Sequence, residues 1–180
     1  SSRAFQEGYY VKPRLDHDLL AEHHEGLVGL SGCLSGEVQQ GLLRGDYNFA
    51  LETAAKMQDI FGRENYFIEV MRHGIPEEEE CYPQLIEIAK AIKAPIIATC
   101  DSHYTCKEHA ENHDIMLCMN TKARIDTPNR FQFTGDSFYL KTYEEMSELF
   151  PEEYLDNTLL IAEKYDINLK FGDYHIPSFD

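Results

Sequence analysis

The chain has 180 residues, of which 43% are hydrophobic and 12% aromatic, so it is long and apolar enough to form one domain with a buried core. This composition excludes an intrinsically disordered chain. The 16 Lys and Arg residues are outnumbered by 32 Asp and Glu residues, which gives a formal net charge of -16. Because DNA affinity depends largely on cationic contacts with phosphates, we expect other surfaces to hold most of any nucleic acid that the chain meets. An acidic surface is compatible with concentrating divalent cations.

Neither a membrane anchor nor a signal peptide is expected. No apolar run approaches the length needed to cross a bilayer, and the first residues lack a basic segment followed by an apolar one. The chain starts at Ser1 without a methionine, which predicts an excised or processed piece. The cysteines form no C-x-x-C pair, and their odd number argues against a disulfide framework, so a reducing, cytoplasmic location is expected. They are Cys33, Cys81, Cys100, Cys106 and Cys118.

Four short apolar runs, rich in Val, Ile, Phe or Tyr, have the composition of buried β-strands. They are Leu27–Leu30, Tyr66–Met71, Pro95–Thr99 and Phe138–Leu140. Between the first two runs lies a helical pattern. It starts at Asp46, a residue type that caps helix N-termini, and its apolar residues recur at steps of three and four until Phe61. Gly62 follows as a stop signal.

Three further helices are predicted in the second half of the chain. An apolar stripe covers Leu85–Ile92, with lysines in its last turn that suit the helix dipole. Thr142, with Glu145 three residues later, forms a capping-box pattern. Proline at a first helical position opens a last helix over Pro151–Ala162. The acidic run Glu77–Glu80 is predicted to be a solvated loop or a first helical turn, and no function is assigned to it.

The alternation of strands and helices predicts an α/β fold with a mainly parallel sheet and outer helices. Four candidate strands are too few to close a barrel of seven or eight. Either the fold is a small open sheet, or part of a barrel is missing from this chain.

The segment Thr99–His103 gives the strongest local indication of chemistry. It follows an apolar run, and in an extended segment alternate side chains share a side, so Asp101 and His103 are expected to point together. A carboxylate and an imidazole at the carboxyl end of a strand suit a hard or borderline divalent ion. Barrels of the α/β class place their active sites at that end of the strands. Taken alone, however, an Asp-x-His pattern is more often part of an ordinary polar loop.

Two weaker positions follow or interrupt other predicted strands. Cys33 comes just after the first strand, where a thiolate would be a soft metal ligand; the alternative is a buried, small apolar cysteine. Glu69 and His73 share strand parity, and a charge inside an apolar strand needs a partner. The alternative is that Glu69 pairs with Arg72 or another cation and that His73 caps the strand end. His113 lies on an apolar helical stripe and is predicted to be a core histidine.

Several stretches, in their order along the chain, resemble one family. They are Gly8-Tyr9-Tyr10 with Lys12-Pro13-Arg14, Leu30 to Glu37, Tyr66 to Gly74, Ala98 to Tyr104, Asp126 to Phe131, and Phe171 to Pro177. Together they resemble the polymerase and histidinol phosphatase (PHP) domain of the bacterial DNA polymerase III alpha subunits. The resemblance covers essentially the whole chain.

This resemblance implies an irregular (β/α)7 barrel, of which residues 1–172 would form the later part. Residues 173–180 resemble the start of the connection to the polymerase palm. The aspartates that transfer nucleotides are therefore expected further along the parent protein.

The resemblance also implies up to three divalent metal ions, Zn or Mn/Mg, in the intact site. Cys33, Asp101 and His103 match three ligand positions. Asp101 would bind or bridge metal, His103 would bind another ion, and Cys33 would complete a third ligand sphere as a thiolate. Asp101 and His103 are thus the implied catalytic residues, whereas Glu69 and His73 match a family motif outside the ligand set.

The remaining ligands, including an opening H-x-H, are expected upstream of this chain, so its metal sites are expected to be incomplete. The three matched side chains are expected within roughly 10–12 Å of one another, because all three would lie just past strand ends on one rim.

The function implied is a portion of a DNA-directed DNA polymerase, a nucleotidyltransferase that extends primers from deoxynucleoside triphosphates. Its PHP domain is expected to remove mispaired 3′ nucleotides by metal-assisted hydrolysis, which would be a 3′–5′ exonuclease proofreading activity. The expected partners of the parent are DNA and replisome subunits such as the sliding clamp or an exonuclease, with no membrane partner. The isolated chain is expected to be inactive.

Two alternatives stay open. One is a free-standing PHP phosphoesterase that acts on a small phosphate ester, against which the polymerase-like flanking stretches argue. The other is a catalytically dead scaffold that docks a separate proofreading exonuclease or the clamp-loading machinery. The related Gram-positive polymerase, whose PHP domain is interrupted by an inserted exonuclease, fits less well.

Overall fold

Short parallel strands form the centre of the protein in the computed structural model, which describes residues 2–169 and 171–172. An antiparallel hairpin, β1 (Tyr9–Tyr10) and β2 (Lys12–Pro13), comes first, followed by three parallel strands, β3 (Gly29–Leu30), β4 (Tyr66–Val70) and β5 (Ile96–Ala98). The parallel strands lie in the order β3-β4-β5. Leu30 pairs with Phe67, and Ile68 pairs with Ile96, so the central strand uses both of its edges.

Helices surround and connect these strands. They are α1 (Ser2–Gln6), α2 (His17–Glu22), α3 (Glu37–Leu43), α4 (Tyr47–Phe61), α5 (Pro76–Ile92), α6 (Ala110–Thr121), α7 (Tyr143–Ser147) and α8 (Glu152–Ala162), with a 3-10 turn at Lys107–His109 before α6. None of the helices in the described part of the chain has both the length and the apolar character that a bilayer crossing demands.

Local capping interactions begin and end the helices where the sequence predicts. The Asp46 side chain accepts a hydrogen bond from the Phe49 backbone N–H at 3.0 Å, and Gly62 ends α4 with a φ of +86° that favours glycine. Thr142 and Glu145 form the predicted reciprocal capping box of α7. Pro151 lies one position earlier than predicted, as the N-cap of α8 rather than its first helical residue.

The hydrophobic core lies on both sides of β4, all five residues of which are buried. Such a run without polar alternation is typical of a strand covered on both faces. Ile68 and Ile88 are fully buried, and so is Ala50 on α4, where the small side chain allows close packing. The helix α8 is held against β5 by a hydrogen bond from the Asn157 side-chain amide to the Ile96 carbonyl oxygen at 2.9 Å.

The predicted α/β class with a parallel sheet is therefore confirmed, and one predicted strand is wrong. The segment Phe138–Leu140 forms a single parallel bridge, between Tyr139 and Tyr104, instead of a strand. Its Phe138 N–H donates to the Tyr104 hydroxyl, so a side chain takes the place of a ladder partner. The acidic run Glu77–Glu80 is the first turn of α5, one of the two structures predicted for it.

Candidate metal-binding site at the carboxyl edge of the sheet

Three loops leave the sheet at its carboxyl edge, because parallel strands all end on the same side. Ser31–Cys33 follows β3, Met71–His73 follows β4, and Thr99–His103 follows β5. These loops contain or adjoin all five residues that the sequence singles out. Strands β3 and β5 flank β4, so the first and last loops start about two strand spacings apart, on the order of 10 Å.

Glu69 links the three loops. Its backbone N–H donates to the Ser31 hydroxyl at 2.9 Å, and its Oε1 accepts from the Thr99 hydroxyl at 2.8 Å. Burial raises the pKa of the Glu69 carboxyl above its ordinary value, while hydrogen bonds from Thr99 and from the Gly32 backbone lower it, and the charge of nearby Asp101 raises it. The donors that hold the Glu69 carboxyl group in the described part of the chain are therefore neutral hydroxyl and backbone N–H groups.

This arrangement corrects the alternative in which Glu69 pairs with Arg72. The Arg72 guanidinium instead binds Glu79, with its Nε 2.8 Å from Oε1. The Glu69 side chain contacts Thr99 in the loop after β5, whereas the Arg72 side chain contacts Glu79 in the first turn of α5.

Asp101 and His103 lie together as the sequence predicts, with Asp101 Oδ1 3.5 Å from His103 Nε2. Their side chains are 39% and 37% exposed, so both are open to solvent or to a ligand. The backbone conformation that brings these two side chains together differs from the predicted extended strand. Strand β5 ends at Ala98, and Asp101 has a φ of +42°, so the segment turns instead of continuing as an extended strand.

Aromatic rings fix the position of His103. Its backbone N–H donates to the Phe138 carbonyl oxygen at 2.8 Å, and its ring meets Phe133 edge to face with the centroids 4.5 Å apart. The predicted core histidine His113 is half-buried and packs on the same cluster, 5.0 Å from the Phe133 centroid and 5.5 Å from that of His103. These contacts leave the Nε2 side of His103 next to Asp101.

His73 is buried and is hydrogen-bonded at both ring nitrogens. Nδ1 lies 2.7 Å from Glu78 Oε1, and Nε2 lies 2.8 Å from the Cys100 carbonyl oxygen. The other Glu78 oxygen accepts the His73 backbone N–H at 2.6 Å. The ring also stacks on Phe138, with centroids 4.2 Å apart. His73 is thus part of a packed hydrogen-bond network rather than a free strand-end cap.

Cys33 lies in the turn between β3 and α3. Gly32 has a φ of +82°, which a side chain would oppose, and the Gly36 N–H donates to the Cys33 carbonyl oxygen at 2.8 Å. Cys33 is half-buried and, with Glu78 and others, lines a cavity of about 20 Å³. Its distance from the Asp101–His103 pair stays a prediction.

The Asp101–His103 pair fits part of a metal site by the chemistry of its donors. Ligand atoms on a tetrahedral ion, with bonds of about 2.0–2.1 Å, lie roughly 3.4 Å apart, close to the 3.5 Å observed. Zinc sites use three or four protein ligands. Across residues 2–169 and 171–172, no group of three or more His, Cys, Asp or Glu side chains is close enough to hold an ion. The pair therefore supplies two ligands and requires more.

Two residues of this edge are missed by the sequence analysis. Glu78 belongs to the acidic run to which no function is assigned, yet it is buried and binds His73. Phe138 is predicted only as a strand residue, yet its ring and carbonyl oxygen hold the two histidines of the edge. A polar residue at the start of a helix, five positions after a candidate histidine, is the signal that could have pointed to Glu78.

The first part of the chain is similar to a known protein family. Residues 1–73 match the family model of the PHP domain. The match includes β3 and β4 and ends at His73, so β5 and the Asp101–His103 pair lie beyond it.

The chain is also similar to one particular protein of several bacteria. It is 45% identical over 171 residues to DNA polymerase III subunit alpha of Treponema pallidum, covering 94% of this chain and 15% of the relative. The corresponding values are 43% over 185 residues for Deinococcus radiodurans, with 98% and 14% covered. For Thermus aquaticus they are 41% over 187 residues, with 99% and 15% covered. The resemblance inferred from the motifs is thus confirmed, and the chain spans about one seventh of these relatives.

Proposed function

We propose that the chain is the later part of the PHP domain of a bacterial replicative DNA polymerase subunit. Residues 1–172 would complete an irregular (β/α)7 barrel together with upstream sequence, and residues 173–180, which lie outside the described residues, would start the connection to the palm. Support comes from the near full-length similarity to DNA polymerase III subunit alpha and from a parallel sheet whose β3 edge has no neighbour among the described strands.

The activity proposed for the site is metal-dependent hydrolysis of a phosphodiester at a mispaired 3′ end. The observation that carries it is the exposed Asp101–His103 pair, with its carboxylate oxygen and imidazole nitrogen 3.5 Å apart. Divalent ions, Zn or Mn/Mg, would supply charge stabilisation on the phosphoryl oxygens and lower the pKa of a water. Cys33, in the loop after β3 on the other side of β4, would contribute a further ligand.

The residues of this chain would hold and orient these groups. Asp101 would hold a divalent ion through its carboxylate, and His103, whose Nε2 lies 3.5 Å from that carboxylate, would hold an ion through this nitrogen. Glu69 would hold the Thr99 end of the loop by its hydrogen bond from the hydroxyl. Its raised pKa and burial argue against a role as an ionised ligand.

The substrates and partners proposed for the parent are DNA, deoxynucleoside triphosphates and replisome subunits such as the sliding clamp or an exonuclease, in the cytoplasm. The net charge of -16 requires that the DNA backbone be held mainly by other parts of the parent. A nucleotidyltransferase activity would belong to those parts as well.

The test uses the full-length subunit that contains this segment, with Asp101→Asn and, as a matched control, Asp59→Asn. Asp59 is an exposed carboxylate on α4, so its replacement removes the same charge at a distance from the edge. Asp101→Asn is expected to lower bound metal, measured by elemental analysis, and to slow removal of a mispaired 3′ nucleotide by at least about tenfold, with primer extension retained.

The control variant is expected to behave as the unmodified protein in all three measurements. If Asp101→Asn keeps the metal content and the hydrolysis rate of the control, the site is not a metal centre. The scaffold function, in which the domain docks a separate exonuclease, would then replace the proposal.

A further inference from the structure

His73 is a buried polar residue for which the proposed ligand set has no use. Its side chain is 1% exposed and that of Glu78 is 8% exposed, so neither residue contacts solvent appreciably. A buried imidazole and a buried carboxylate are kept only where their hydrogen-bonding groups are satisfied. Every such group of this pair has a protein partner, so the pair connects parts of the protein to one another.

The hydrogen bonds leave His73 without a free lone pair for a metal ion. A carbonyl oxygen can only accept, so Nε2, which lies 2.8 Å from the Cys100 carbonyl oxygen, carries a hydrogen. Nδ1 is engaged by Glu78 Oε1 at 2.7 Å. The second Glu78 oxygen accepts the backbone N–H of His73 itself and so locks the pair in one orientation. The imidazole therefore acts as a bridge between the start of α5 and the loop after β5.

The end of this bridge is the peptide unit that precedes Asp101. The Cys100 carbonyl group and the Asp101 nitrogen belong to one rigid plane, so a bond to that oxygen limits rotation about the Asp101 N–Cα axis. This restraint acts where the backbone is least favourable, because the φ of Asp101 is +42°. Without the bond, the loop would be free to relax and move the carboxylate away from His103.

The face of the same imidazole supports His103. The His73 ring stacks on Phe138 at 4.2 Å with an interplanar angle of 9°. The Phe138 carbonyl oxygen accepts the His103 N–H, and its ring meets the His103 ring edge to face at 5.8 Å. One buried side chain thus contacts the supports of both members of the Asp101–His103 pair.

We infer that His73, oriented by Glu78, is the positioning residue that holds Asp101 and His103 at ligand spacing. This inference rests on the proposed function, since it assigns His73 a role in the same site. His73 acts through the Cys100 carbonyl group and Phe138, and it touches neither metal nor substrate. Supports of this kind typically change metal affinity or activity by about 10–100-fold when they are removed.

The test compares His73→Gln with His73→Asn in the full-length subunit. The amide nitrogen of Gln reaches the place of Nε2 and can donate to the Cys100 carbonyl oxygen. The shorter Asn reaches the place of Nδ1 and keeps only the contact with Glu78. Each variant loses the ring and one of the two side-chain bonds, so a general loss of packing would affect both alike.

Metal affinity is measured by competition with a chelator for Mn²⁺ or Zn²⁺. His73→Asn is expected to weaken binding by at least about tenfold, and His73→Gln by no more than about threefold. The Tm of both variants is expected to fall to a similar extent. A difference in metal affinity between them would then reflect the position of the ligands and not the stability of the fold. Equal losses of affinity in the two variants, or no loss in either, would overturn the inference.

A second readout does not depend on bound metal. Hydrogen–deuterium exchange of the peptide that covers residues 99–104 reports opening of the loop, whose His103 and Tyr104 N–H groups bond to the Phe138 carbonyl oxygen. Exchange is expected to be at least about tenfold faster in His73→Asn and near the unmodified rate in His73→Gln. If the unmodified subunit binds no metal, the proposed function fails while this measurement still decides the positioning role. Unchanged exchange in His73→Asn would refute it.

Discussion

Replacement of Thr99 by Val tests the environment of the buried carboxylate at the centre of the edge. The two side chains have similar shapes, so the change removes the hydroxyl and little else. That hydroxyl donates to Glu69 Oε1 at 2.8 Å, and Glu69 is only 7% exposed, so water cannot readily replace the donor. The bond is therefore a charge-assisted one whenever Glu69 is ionised.

The magnitude follows from the type of bond. A hydrogen bond to a charged group contributes about 1.5–3 kcal/mol to the free energy of unfolding. For a chain of this size, each kcal/mol corresponds to roughly 2–4 °C in Tm. Thr99→Val is therefore expected to lower the Tm by roughly 3–12 °C at a pH where Glu69 is ionised.

The pH dependence gives the sharper test. The pKa of Glu69 is raised by burial above its ordinary value, so ionising it in the fold costs free energy, and stability falls as the pH rises through that raised pKa. The Thr99 hydrogen bond opposes the shift, so its removal raises the pKa of Glu69 further. The loss caused by Thr99→Val should be small at about pH 4, where Glu69 is protonated, and larger at an alkaline pH above the raised pKa of Glu69.

The assays are thermal unfolding for the Tm and urea unfolding for the free energy, both followed by far-UV circular dichroism because the chain contains no Trp. Thr99→Ser, which keeps the hydroxyl, is the matched control and should retain most of the pH-dependent difference. An equal loss at both pH values, or equal losses in Thr99→Val and Thr99→Ser, would show that the hydroxyl does not hold an ionised Glu69.

Two further predictions concern the loops and the ligand count. Gly36→Ala should destabilise the Cys33 turn by about 1–3 kcal/mol in urea unfolding, because the new Cβ would lie 2.6 Å from the Ser31 carbonyl oxygen; wild-type stability would contradict the close approach. The isolated chain, after dialysis, should hold less than one metal ion per molecule by elemental analysis and should not hydrolyse DNA 3′ ends, since Asp101 and His103 provide only two ligands. A tightly held stoichiometric ion or a metal-dependent nuclease activity that survives repurification would refute this ligand count.

Features set by neighbouring residues could be predicted from the sequence. The caps at Asp46 and Thr142 depend on contacts three residues away, and both form as predicted. The buried strand β4 also follows from its continuous apolar run. For both caps the partner lies within one helical turn of the capping residue.

Features that depend on tertiary packing could not be predicted. The role of Glu78 requires the first turn of α5 to lie against the loop after β4, which the acidic composition of the run Glu77–Glu80 does not reveal. The run Phe138–Leu140 has the composition of a strand, but the Phe138 N–H donates to the Tyr104 hydroxyl and the run forms a single bridge, between Tyr139 and Tyr104. The proximity of Asp101 and His103 was predicted from strand alternation, whereas the actual cause is a turn with positive φ.

The turn at Asp101 has an energetic cost that bears on the proposed function. A non-glycine residue in the left-handed region costs about 1 kcal/mol or more, and such a cost persists only where surrounding contacts impose the conformation. At Asp101 the imposed conformation is the one that brings a carboxylate to ligand distance from an imidazole, and the contacts that impose it come from a histidine with no free nitrogen. The positive φ, the buried hydrogen bonds of His73 and the 3.5 Å donor spacing therefore all involve Asp101 and His103 or the residues that support them. Because its surface repels DNA and its pair provides only two ligands, hydrolysis at this edge would be an activity of the whole subunit, with this segment contributing the geometry of the Asp101–His103 pair.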